Sequence, residues 1–500
     1  MTARMAQKVL SSAAESFPGQ PRDGGGKDGA PMDDGHPIKH EPQPSSGQAF
    51  KVYKRRWFIL TAVCIVNCSN AMLWLTFAPV ADITAERFNT SLDMVNWLSI
   101  VYFVVSVPVG LLAIWILDTI GLRCAVLLCA WLNMVGSIIR AFSVIDSLSL
   151  GSLNYVYLLV GQCLCAGAQP LIIFAPTKLA ALWFPEDQRA TANMIASMSN
   201  PLGMLIVNLL SPTIAPEVKD IPLLIGVSAA PAILGCLLST VGVCSSVPPT
   251  PPSASADHLS SPTFCEGLKM LSRNKPYIIL NLCFGTGIAL FTCLSSLLEQ
   301  ILCVNGYSNF FAGLTGALFI IFGLIGAFFL GLYVDRTKKF TETTKISFVL
   351  SALTCIGFAV VSQMREQTYA VAIFSSLFGL FGFSIYPIVM ELNVECSYPV
   401  GEGTSSGIIF VTSQILAVLF ILLFQNLAVE KKNAPFSTCA ASLGPPMDWS
   451  NATLVMAGIS TVACCFFIIT FHTNYKRISA ETSQSFSTNK TEDEDVVVTA

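Results

Sequence analysis

Long runs of hydrophobic residues alternate with short polar segments along most of the chain. Each run is about as long as the ~20-residue helix that crosses the hydrocarbon core of a bilayer. Inside lipid every backbone N–H and C=O group needs a partner within the protein, so runs of this length indicate membrane-spanning helices. The sequence therefore predicts an all-α membrane protein with twelve transmembrane helices, at about 57–82, 95–117, 122–144, 154–183, 191–213, 222–247, 276–302, 311–334, 344–363, 367–394, 404–428 and 449–472.

The longest polar interruption inside this pattern opens with PPTPPSASADH and divides the predicted spans six and six. Both ends of the chain are hydrophilic and poor in the apolar residues that a packed core requires, which is typical of disorder. The predicted organisation is a disordered tail, a six-helix bundle, a Pro/Ser-rich linker, a second six-helix bundle and a disordered tail, over 1–50, 51–247, 248–275, 276–472 and 473–500.

Composition supports the membrane assignment and excludes several functions. The chain has 500 residues, of which 53% are hydrophobic and 12% charged, whereas about a quarter of the residues in a soluble protein are charged. No basic cluster interleaves with aromatic residues, so no nucleic-acid partner is expected, and the lipid bilayer is the expected surroundings. The sequence contains no nucleophile–base pair, metal-ligand spacing or Walker loop, so we predict neither an enzyme nor a bound metal or cofactor.

The distribution of lysine and arginine predicts the orientation. Basic residues precede the first span, in KVYKRR at 51–56, and recur in the loops on the same side, which the positive-inside rule assigns to the cytosol. Both termini are then cytosolic. Asn89, in Asn-Thr-Ser, falls in a non-cytosolic loop and is a predicted glycosylation site. Cys303 and Cys439 also fall on that side, where a disulfide and two unbonded thiols are both open alternatives.

Two charged stretches occupy matching positions in the two halves. IWILDTIGLR at 114–123 lies between spans 2 and 3, and GLYVDRTKKF at 331–340 lies between spans 8 and 9. A second pair of similar segments occupies 183–200 and 397–414. In both, an aromatic residue and a proline precede a polar turn and small residues that open a helix. Two six-helix pseudo-repeats of this kind are typical of membrane transporters.

The charged stretches resemble the loop motif of the major facilitator superfamily. The resemblance implies gating roles for an acid at the end of one span and the base that follows it, in the pairs Asp118 with Arg123 and Asp335 with Arg336. An aspartate there can pair with an arginine or with a helix N-terminus. We also predict gate pairs between Lys178 of span 4 and the acids of span 10, Glu391 and Glu395. Ordinary charge at helix ends is the alternative.

Shorter segments narrow the resemblance to one family. NAMLW at 70–74, GQCLCAGAQ, ALWF and YPVGEGTSSG resemble solute carrier family 49, the feline leukaemia virus subgroup C receptor-related transporters, over about residues 50–475. The resemblance implies a transporter that moves a small organic solute by alternating access, with an amine or cation such as choline or ethanolamine as the expected substrate. Haem or another metabolite is the alternative substrate, and a non-transporting receptor or sensor on the same scaffold is the alternative function.

Polar residues at mid-depth are the candidate binding site, because polar groups inside a bilayer are costly and mark function. Span 1 carries Asn67, Asn70 and Trp74 at spacings that share one helix face. Asn200 of span 5 and Gln414 of span 11 occupy equivalent repeat positions, and Gln162 lies on span 4; these six residues are the predicted substrate-binding set. Interhelical hydrogen bonding for the amides, and packing for Trp74, are the alternatives.

The family resemblance implies a more specific arrangement, in which a tryptophan on span 1 and a glutamine on each of spans 5 and 11 surround a quaternary ammonium. Trp74 and Gln414 match this pattern. Pro201 and Thr292 depart from it, because they stand where relatives have the span 5 glutamine and an aromatic residue on span 7. We expect a monomer in the plasma membrane, with an endolysosomal membrane as the alternative, since the tails carry no clear acidic dileucine sorting signal.

Overall fold

The computed structural model describes residues 51–145, 153–250, 264–337, 339–431, 437–439 and 446–473, without the side chains of a few helical residues. The predicted tail over 1–50, and all but the first residue of the predicted tail over 473–500, lie outside the described residues. Within the described part, twelve helical segments are long and apolar enough to cross a membrane, so the predicted all-α fold with twelve spans is confirmed.

In the described part of the chain, eight spans each consist of a single α-helix. These helices form spans 3, 5, 6, 7, 8, 9, 11 and 12, and their bounds are Leu122–Phe142, Glu186–Ile214, Ile221–Gly242, Lys275–Cys303, Asn309–Thr337, Phe340–Val361, Glu402–Leu427 and Ser450–Thr470. A short 3-10 turn, Val218–Asp220, leads into span 6. The linker predicted over 248–275 contains a further α-helix, Phe264–Leu271, which packs its Gly267 against Val400 and Thr404 at the start of span 11.

The other four spans are interrupted or change helix type. Span 1 consists of Arg55–Leu75, the 3-10 turn Ala78–Val80 and Ala81–Phe88. Span 4 consists of Leu153–Ile173 and Ala175–Trp183. Spans 2 and 10 contain π-helical turns, and their elements are Leu92–Trp115 with Ile116–Ile120, and Thr368–Phe378 with Gly379–Phe383 and Ile385–Ser397.

A proline at the start of the next helix accompanies each break in spans 1 and 4. Pro79 and Pro176 have no N–H group, so neither can donate to the carbonyl group four residues earlier, on Leu75 or Ile172. After its break, span 1 continues as a second helix to Phe88, six residues past the predicted end. The charged residues after the break are thus part of a helix. The break in span 1 places Phe77 in irregular backbone, 4.8 Å from the guanidinium group of the buried Arg140.

Contacts between span ends define the two ends of the protein. We call the end formed by the loops after odd-numbered spans the odd-loop end, and the opposite end the even-loop end. At the even-loop end, Arg56 donates to Gln188 at 2.7 Å. At the odd-loop end, the hydroxyl of Tyr307 donates to the carbonyl group of Met364 at 2.8 Å.

The odd-loop end also carries a two-stranded antiparallel sheet between spans 11 and 12. β1, Val429–Glu430, pairs with β2, Met447–Asp448. Lys431 lies 3.8 Å from Asp448, whose other carboxylate oxygen accepts a 2.5 Å hydrogen bond from the hydroxyl of Ser450. Burial raises the pKa of Asp448, but the hydrogen bonds from Ser450 and the charge of Lys431 outweigh it, so the pKa lies below its ordinary value.

A disulfide joins this loop to span 7. Cys303 and Cys439 are bonded, with their Cα atoms 5.1 Å apart. Of the two alternatives that the sequence left open, the structure therefore contains the disulfide and not two unbonded thiols. The backbone N–H of Thr438 donates to the carbonyl oxygen of Cys303 at 3.0 Å. The hydroxyl of Thr438 donates to the backbone carbonyl oxygen of Tyr307 at 2.5 Å. The loop before span 12 is therefore fixed to the odd-loop end of span 7.

Replacing Cys303 by serine is expected to destabilise the protein. The bond joins residues 136 positions apart, and removing a disulfide that closes a long loop costs about 2–5 kcal/mol. Heating the detergent-purified protein, followed by size-exclusion chromatography, measures the effect. A reducing agent should lower the unfolding temperature of the unsubstituted chain but not that of Cys303→Ser. Cys465→Ser, which changes an exposed free cysteine, is the control. Equal unfolding temperatures for all three proteins would contradict the stabilising role.

Candidate functional site

The two halves of the protein meet at the odd-loop end through a reciprocal pair of side-chain amides. The side-chain amide nitrogen of Gln300, on span 7, donates to the side-chain carbonyl oxygen of Asn96, on span 2, at 2.6 Å. The amide nitrogen of Asn96 donates back to Gln300 at 3.2 Å, and both side chains are buried. We call these two residues the amide pair. It satisfies four buried polar groups at once, but only while the two halves stay together.

A second polar contact between the halves lies at the same end. Asn309, at the start of span 8, donates to a carboxylate oxygen of Asp82, on span 1, at 2.7 Å. Glu299, next to Gln300, is 1% exposed, and neither of its carboxylate oxygens has a hydrogen-bond partner in the described part of the protein. The contact region of the halves at the odd-loop end is therefore polar as well as buried.

Spans 5 and 8 approach so closely at this end that only glycine fits. A Cβ atom on Gly313 would lie 2.1 Å from the backbone carbonyl oxygen of Asn208 and 3.0 Å from the ring of Pro212. Gly316, one turn further along span 8, packs against the side chain of Asn208. Small residues permit this kind of backbone contact between membrane helices.

Aromatic and aliphatic side chains join the halves nearer the even-loop end. The rings of Phe174, at the break in span 4, and Phe410, on span 11, lie edge to face with centroids 5.6 Å apart. Gly407 of span 11 packs against Ile114 of span 2, where a Cβ atom would lie 2.4 Å from the isoleucine side chain. Contacts between the halves thus occur on both sides of mid-depth.

Trp74 lies one residue before the end of the first helix of span 1. It is 3% exposed and belongs to a buried apolar cluster that also contains Leu290 and Leu294 of span 7. Its ring lies edge to face with Phe103 of span 2, with centroids 6.1 Å apart. Its indole N–H has no hydrogen-bond partner among the described residues. Trp74 is therefore buried in a cluster to which both halves contribute, and it has an unused donor.

The two asparagines predicted beside Trp74 contact different neighbours. Asn67 donates to the carbonyl oxygen of Ala196 at 3.0 Å and accepts from the amide of Asn200 at 2.9 Å, both on span 5. Asn70 donates to Asn133 of span 3 and to the carbonyl oxygen of Cys165 of span 4, each at 2.9 Å. Asn67 and Asn200 therefore come together, whereas Asn70 belongs to a separate group of polar side chains.

Gln162 lies in this separate group. Its amide nitrogen donates to the carbonyl oxygens of Leu73 and Leu98, at 3.3 and 3.2 Å. The structure adds Arg140 and Tyr102, both almost completely buried, which the sequence had not selected as binding residues. An arginine inside an otherwise apolar span was the available signal, but its neighbours on three other helices could not be identified from sequence.

On the second half, Gln414 lies on span 11 and is 2% exposed, with a carbonyl oxygen that has no hydrogen-bond partner among the described residues. Nearby on the same helix, Thr412 accepts from Asn281 of span 7 at 3.2 Å. The hydroxyl of Thr292 donates within its own helix, to the carbonyl oxygens of Ile288 and Ala289. The hydroxyl group of Thr292 is therefore already hydrogen-bonded within its own helix.

The predicted gating residues are described only in part. The helices that carry Asp118 and Asp335 are described, but the side chains of these two residues lie outside the described part. Arg123 and Arg336 are exposed near the even-loop end. Lys178 donates to the carbonyl group of Leu117, which places its ammonium group next to the first charged stretch.

The remaining predicted positions are at the ends of helices. On span 10, Glu391 is exposed and Glu395 is buried. Asn89, the predicted glycosylation site, is exposed and ends a helix in the left-handed conformation, with φ 49°. Within the described residues, no group of three His, Cys, Asp or Glu side chains could hold a metal ion.

Comparison with known proteins identifies relatives along most of the chain. The model of the Major Facilitator Superfamily matches residues 63–421. Solute carrier family 49 member A3 of Xenopus tropicalis is 54% identical over 86% of this chain and 90% of its own length, and that of Danio rerio is 49% identical over 91% and 95%. A choline/ethanolamine transporter of Felis catus, FLVCR1, is 30% identical over 74% of this chain and 67% of its own length.

Solved structures share the fold. A bacterial homologue of the human lysosomal transporter Spinster, in an inward-facing and unoccupied conformation, has a TM-score of 0.61 at 13% identity and covers 84% of this chain and 97% of its own. A D-xylose–proton symporter has a TM-score of 0.62 at 11% identity, over 84% and 98%. Together with the twelve spans, these relatives show that the chain belongs to solute carrier family 49 of the Major Facilitator Superfamily, and that it is a multi-pass membrane transporter.

Proposed function

We propose that this transporter moves a small organic amine or cation, of the choline and ethanolamine class, by alternating access. The observation that carries the proposal is the burial of Trp74, with its indole N–H unused, in an apolar cluster to which both halves contribute. The face of a tryptophan ring attracts an ammonium group by about 2 kcal/mol when water is excluded. A site between the halves is also where transporters with two repeats bind their solutes.

Gln414 supplies the complementary polar contact on the second half. Its buried carbonyl oxygen has no partner in the described part and can accept a hydrogen bond from an ammonium or a hydroxyl group. Ethanolamine carries both groups, and choline carries a hydroxyl group. The choline/ethanolamine transporters among the relatives support this substrate class. Asn67 and Asn200, bonded to each other, form the neighbouring polar wall in this proposal.

Alternating access requires that each end closes in turn, and the two ends offer different chemistry for it. Uncharged amides join the halves at the odd-loop end through Asn96 and Gln300. For the even-loop end we propose a gate made by the two charged stretches and the residues of spans 4 and 10; its members are Asp118, Arg123, Asp335, Arg336, Lys178, Glu391 and Glu395. The bond from Lys178 to Leu117, beside Asp118, supports the first-half part of this gate.

We further propose that the even-loop end and both termini face the cytosol, and that the plasma membrane is the site of action. The Cys303–Cys439 disulfide lies at the odd-loop end, and disulfides persist in oxidising compartments rather than in the cytosol. Asn89 is exposed at the same end, as a glycosylation site requires. Both features support an orientation with the odd-loop end outside.

Uptake of labelled choline and ethanolamine into cells that express the chain tests the substrate class. Trp74→Ala is expected to lower uptake about 30-fold, since a loss of about 2 kcal/mol corresponds to that factor. Trp74→Phe keeps an aromatic ring and is expected to retain part of the activity. Trp131→Ala is the matched control, because Trp131 is 48% exposed on span 3.

Two outcomes would contradict the proposal. No uptake above background, with the protein present at the cell surface, would remove these solutes from consideration. If binding of either solute were then still detected, the alternative of a receptor on a transporter scaffold would replace transport. Equal uptake by Trp74→Ala and Trp131→Ala would remove Trp74 from the binding site.

A further inference from the structure

We propose that the first half contains a binding site for a small monovalent anion, centred on Arg140. The shared chemistry is a single negative charge that accepts several hydrogen bonds, and it has two sources: free chloride, or the carboxylate of a solute. Chloride binding is independent of the proposed transport function. The carboxylate alternative rests on the proposed transport function, because a carboxylate bound at Arg140 would belong to the transported solute. That solute would then be a zwitterion with both an ammonium group and a carboxylate.

Arg140 lies on span 3 and is 1% exposed. One of its terminal nitrogens donates to the carbonyl oxygen of Leu73 at 3.1 Å, and the guanidinium group lies 4.8 Å from the ring centre of Phe77. Its Nε and Nη2 atoms have no hydrogen-bond partner in the described part of the chain. The guanidinium group therefore has unused donors in a completely buried position.

The charge of Arg140 is compensated only in part. Among the described residues, no acidic side chain forms an ion pair with it. Leu73 is near the end of the helix Arg55–Leu75, and a helix C-terminus offers roughly half of a negative charge. A guanidinium group keeps its full positive charge in proteins. Burial of an uncompensated charge is strongly unfavourable, so a bound anion would stabilise this arrangement.

Further unused polar atoms lie in the same group of side chains. Among the described residues, the hydroxyl of Tyr102 and the amide nitrogen of Asn133 are buried donors without a partner, and the side-chain carbonyl oxygens of Asn70 and Gln162 are buried acceptors without one. Tyr102 and Arg140 both lie beside the thiol of Cys165, which donates to the carbonyl oxygen of Asn133 at 3.8 Å. The donors of spans 2 and 3 are therefore neighbours, gathered around one residue of span 4.

Close packing of spans 3 and 4 holds this group together. A Cβ atom on Gly161 would lie 2.6 Å from the carbonyl oxygen of Gly136 and 2.7 Å from the side chain of Arg140. The arginine therefore lies across a glycine of span 4. Buried polar groups almost always have partners, and water can satisfy neutral ones. Water does not neutralise a guanidinium group, which is why we infer an anion.

The position along span 1 connects the anion site to the proposed solute site. Arg140 contacts span 1 on both sides of its break, because it donates to the carbonyl oxygen of Leu73, next to Trp74, and lies over Phe77. A zwitterion with its ammonium group at Trp74 would direct its carboxylate toward Arg140. Free chloride would instead remain as a bound ion.

Thermal unfolding of the purified full-length protein in lipid nanodiscs tests the proposal. The reference buffer contains sodium methanesulfonate, and chloride, glycine betaine or choline is added at constant ionic strength. We expect the unfolding temperature to rise in a saturable manner with chloride, or with betaine, since a ligand that binds the folded state stabilises it. A rise with betaine but not with chloride identifies the carboxylate source, and the reverse identifies the free ion.

Variants of the site distinguish specific binding from a general salt effect. Arg140→Gln is expected to raise the apparent dissociation constant at least tenfold, and Tyr102→Phe, which removes one O–H donor, about threefold to tenfold. Arg365→Gln changes an exposed arginine at the same end and should leave the constant unaltered. If Arg140→Gln does not fold, Tyr102→Phe and the unsubstituted chain still decide the question.

The proposal is overturned if the unfolding temperature of the unsubstituted chain responds equally to all anions, or if Tyr102→Phe and Arg365→Gln keep the same dissociation constant. Stabilisation by choline alone would support the amine site at Trp74 and remove the anion site. Failure of amine uptake, with chloride binding intact, would contradict the proposed function but not the anion site.

Discussion

Replacement of Gln300 by leucine is expected to shift the protein strongly toward a state that is open at the odd-loop end. The substitution removes both hydrogen bonds of the amide pair and leaves Asn96 buried without its partner. A buried amide left in this way costs about 1–3 kcal/mol, which corresponds to a factor of roughly 5 to 150 in the equilibrium between closed and open states.

The rate at which a buried cysteine reacts measures this opening. Leu297, one turn before Gln300, is 1% exposed and belongs to the cluster shared by both halves, so Leu297→Cys reports on the closed contact. We expect a bulky, membrane-impermeant maleimide to label this cysteine about 5 to 100 times faster when Gln300→Leu is also present. Peptide mass spectrometry separates this label from labels on the native cysteines.

Two further variants complete this test. Gln363→Leu removes a glutamine at the same end, but its hydrogen bonds go to Ser450 and Thr453 within the second half, so labelling should not accelerate. The double variant Asn96→Leu with Gln300→Leu leaves no unpaired amide and should restore much of the closure. Equal labelling rates in all variants would show that the amide pair does not hold the halves together.

Gly313→Ala is expected to be the most damaging substitution of a single small residue at the contact between the halves. The added methyl group would lie 2.1 Å from the carbonyl oxygen of Asn208, and a backbone atom cannot move aside without shifting span 5. Overpacking of this kind costs about 1–3 kcal/mol. The cost applies only when spans 5 and 8 are together at the odd-loop end, so the closed state should be depopulated and transport lowered about tenfold or more.

A matched glycine controls for helix propensity, because alanine favours a helix over glycine by about 1 kcal/mol wherever it is placed. A Cβ atom on Gly287 of span 7 would meet nothing within 4 Å, so Gly287→Ala should retain normal transport. Transport is measured with whichever solute the uptake experiment identifies, and the labelling rate of Leu297→Cys reports the conformation independently. Normal transport and labelling in Gly313→Ala would contradict the close contact of spans 5 and 8.

The twelve spans could be predicted because lipid imposes a simple requirement on sequence. A helix that crosses the bilayer must be apolar over about twenty residues, and this is visible without any knowledge of its neighbours. The end of span 1 was harder to place. Hydropathy falls at Asp82, but the helix Ala81–Phe88 continues past the break, since charged residues at the end of a span need not end the helix.

The burial of the candidate binding residues could be predicted from sequence, but their hydrogen-bond partners could not. Helix periodicity correctly places Asn67, Asn70 and Trp74 in the buried part of span 1. However, a buried helix is surrounded on all sides, so small differences in angle direct Asn67 to span 5, Asn70 to spans 3 and 4, and Trp74 to Phe103 of span 2.

Partners on distant helices could not be read from one sequence at all. Asn96 and Gln300 are 204 positions apart, and each resembles many other polar residues near the end of a span. Only the packing of the two halves brings them together. Arg140 was visible as a charge inside an apolar run, but its position over Phe77 depends on the close approach of spans 3 and 4.

The breaks in spans 1 and 4 lie toward opposite ends of the protein, after Leu75 near the odd-loop end and after Ile173 near the even-loop end. Each span can therefore bend near one end without rotation of a whole six-helix half. Local bending disturbs fewer contacts than movement of a complete half. In the alternating access that we propose, such bending would let one end seal before the other opens, so that the solute would pass through an occluded state in contact with neither solution. Such a state would keep the membrane from leaking during each cycle.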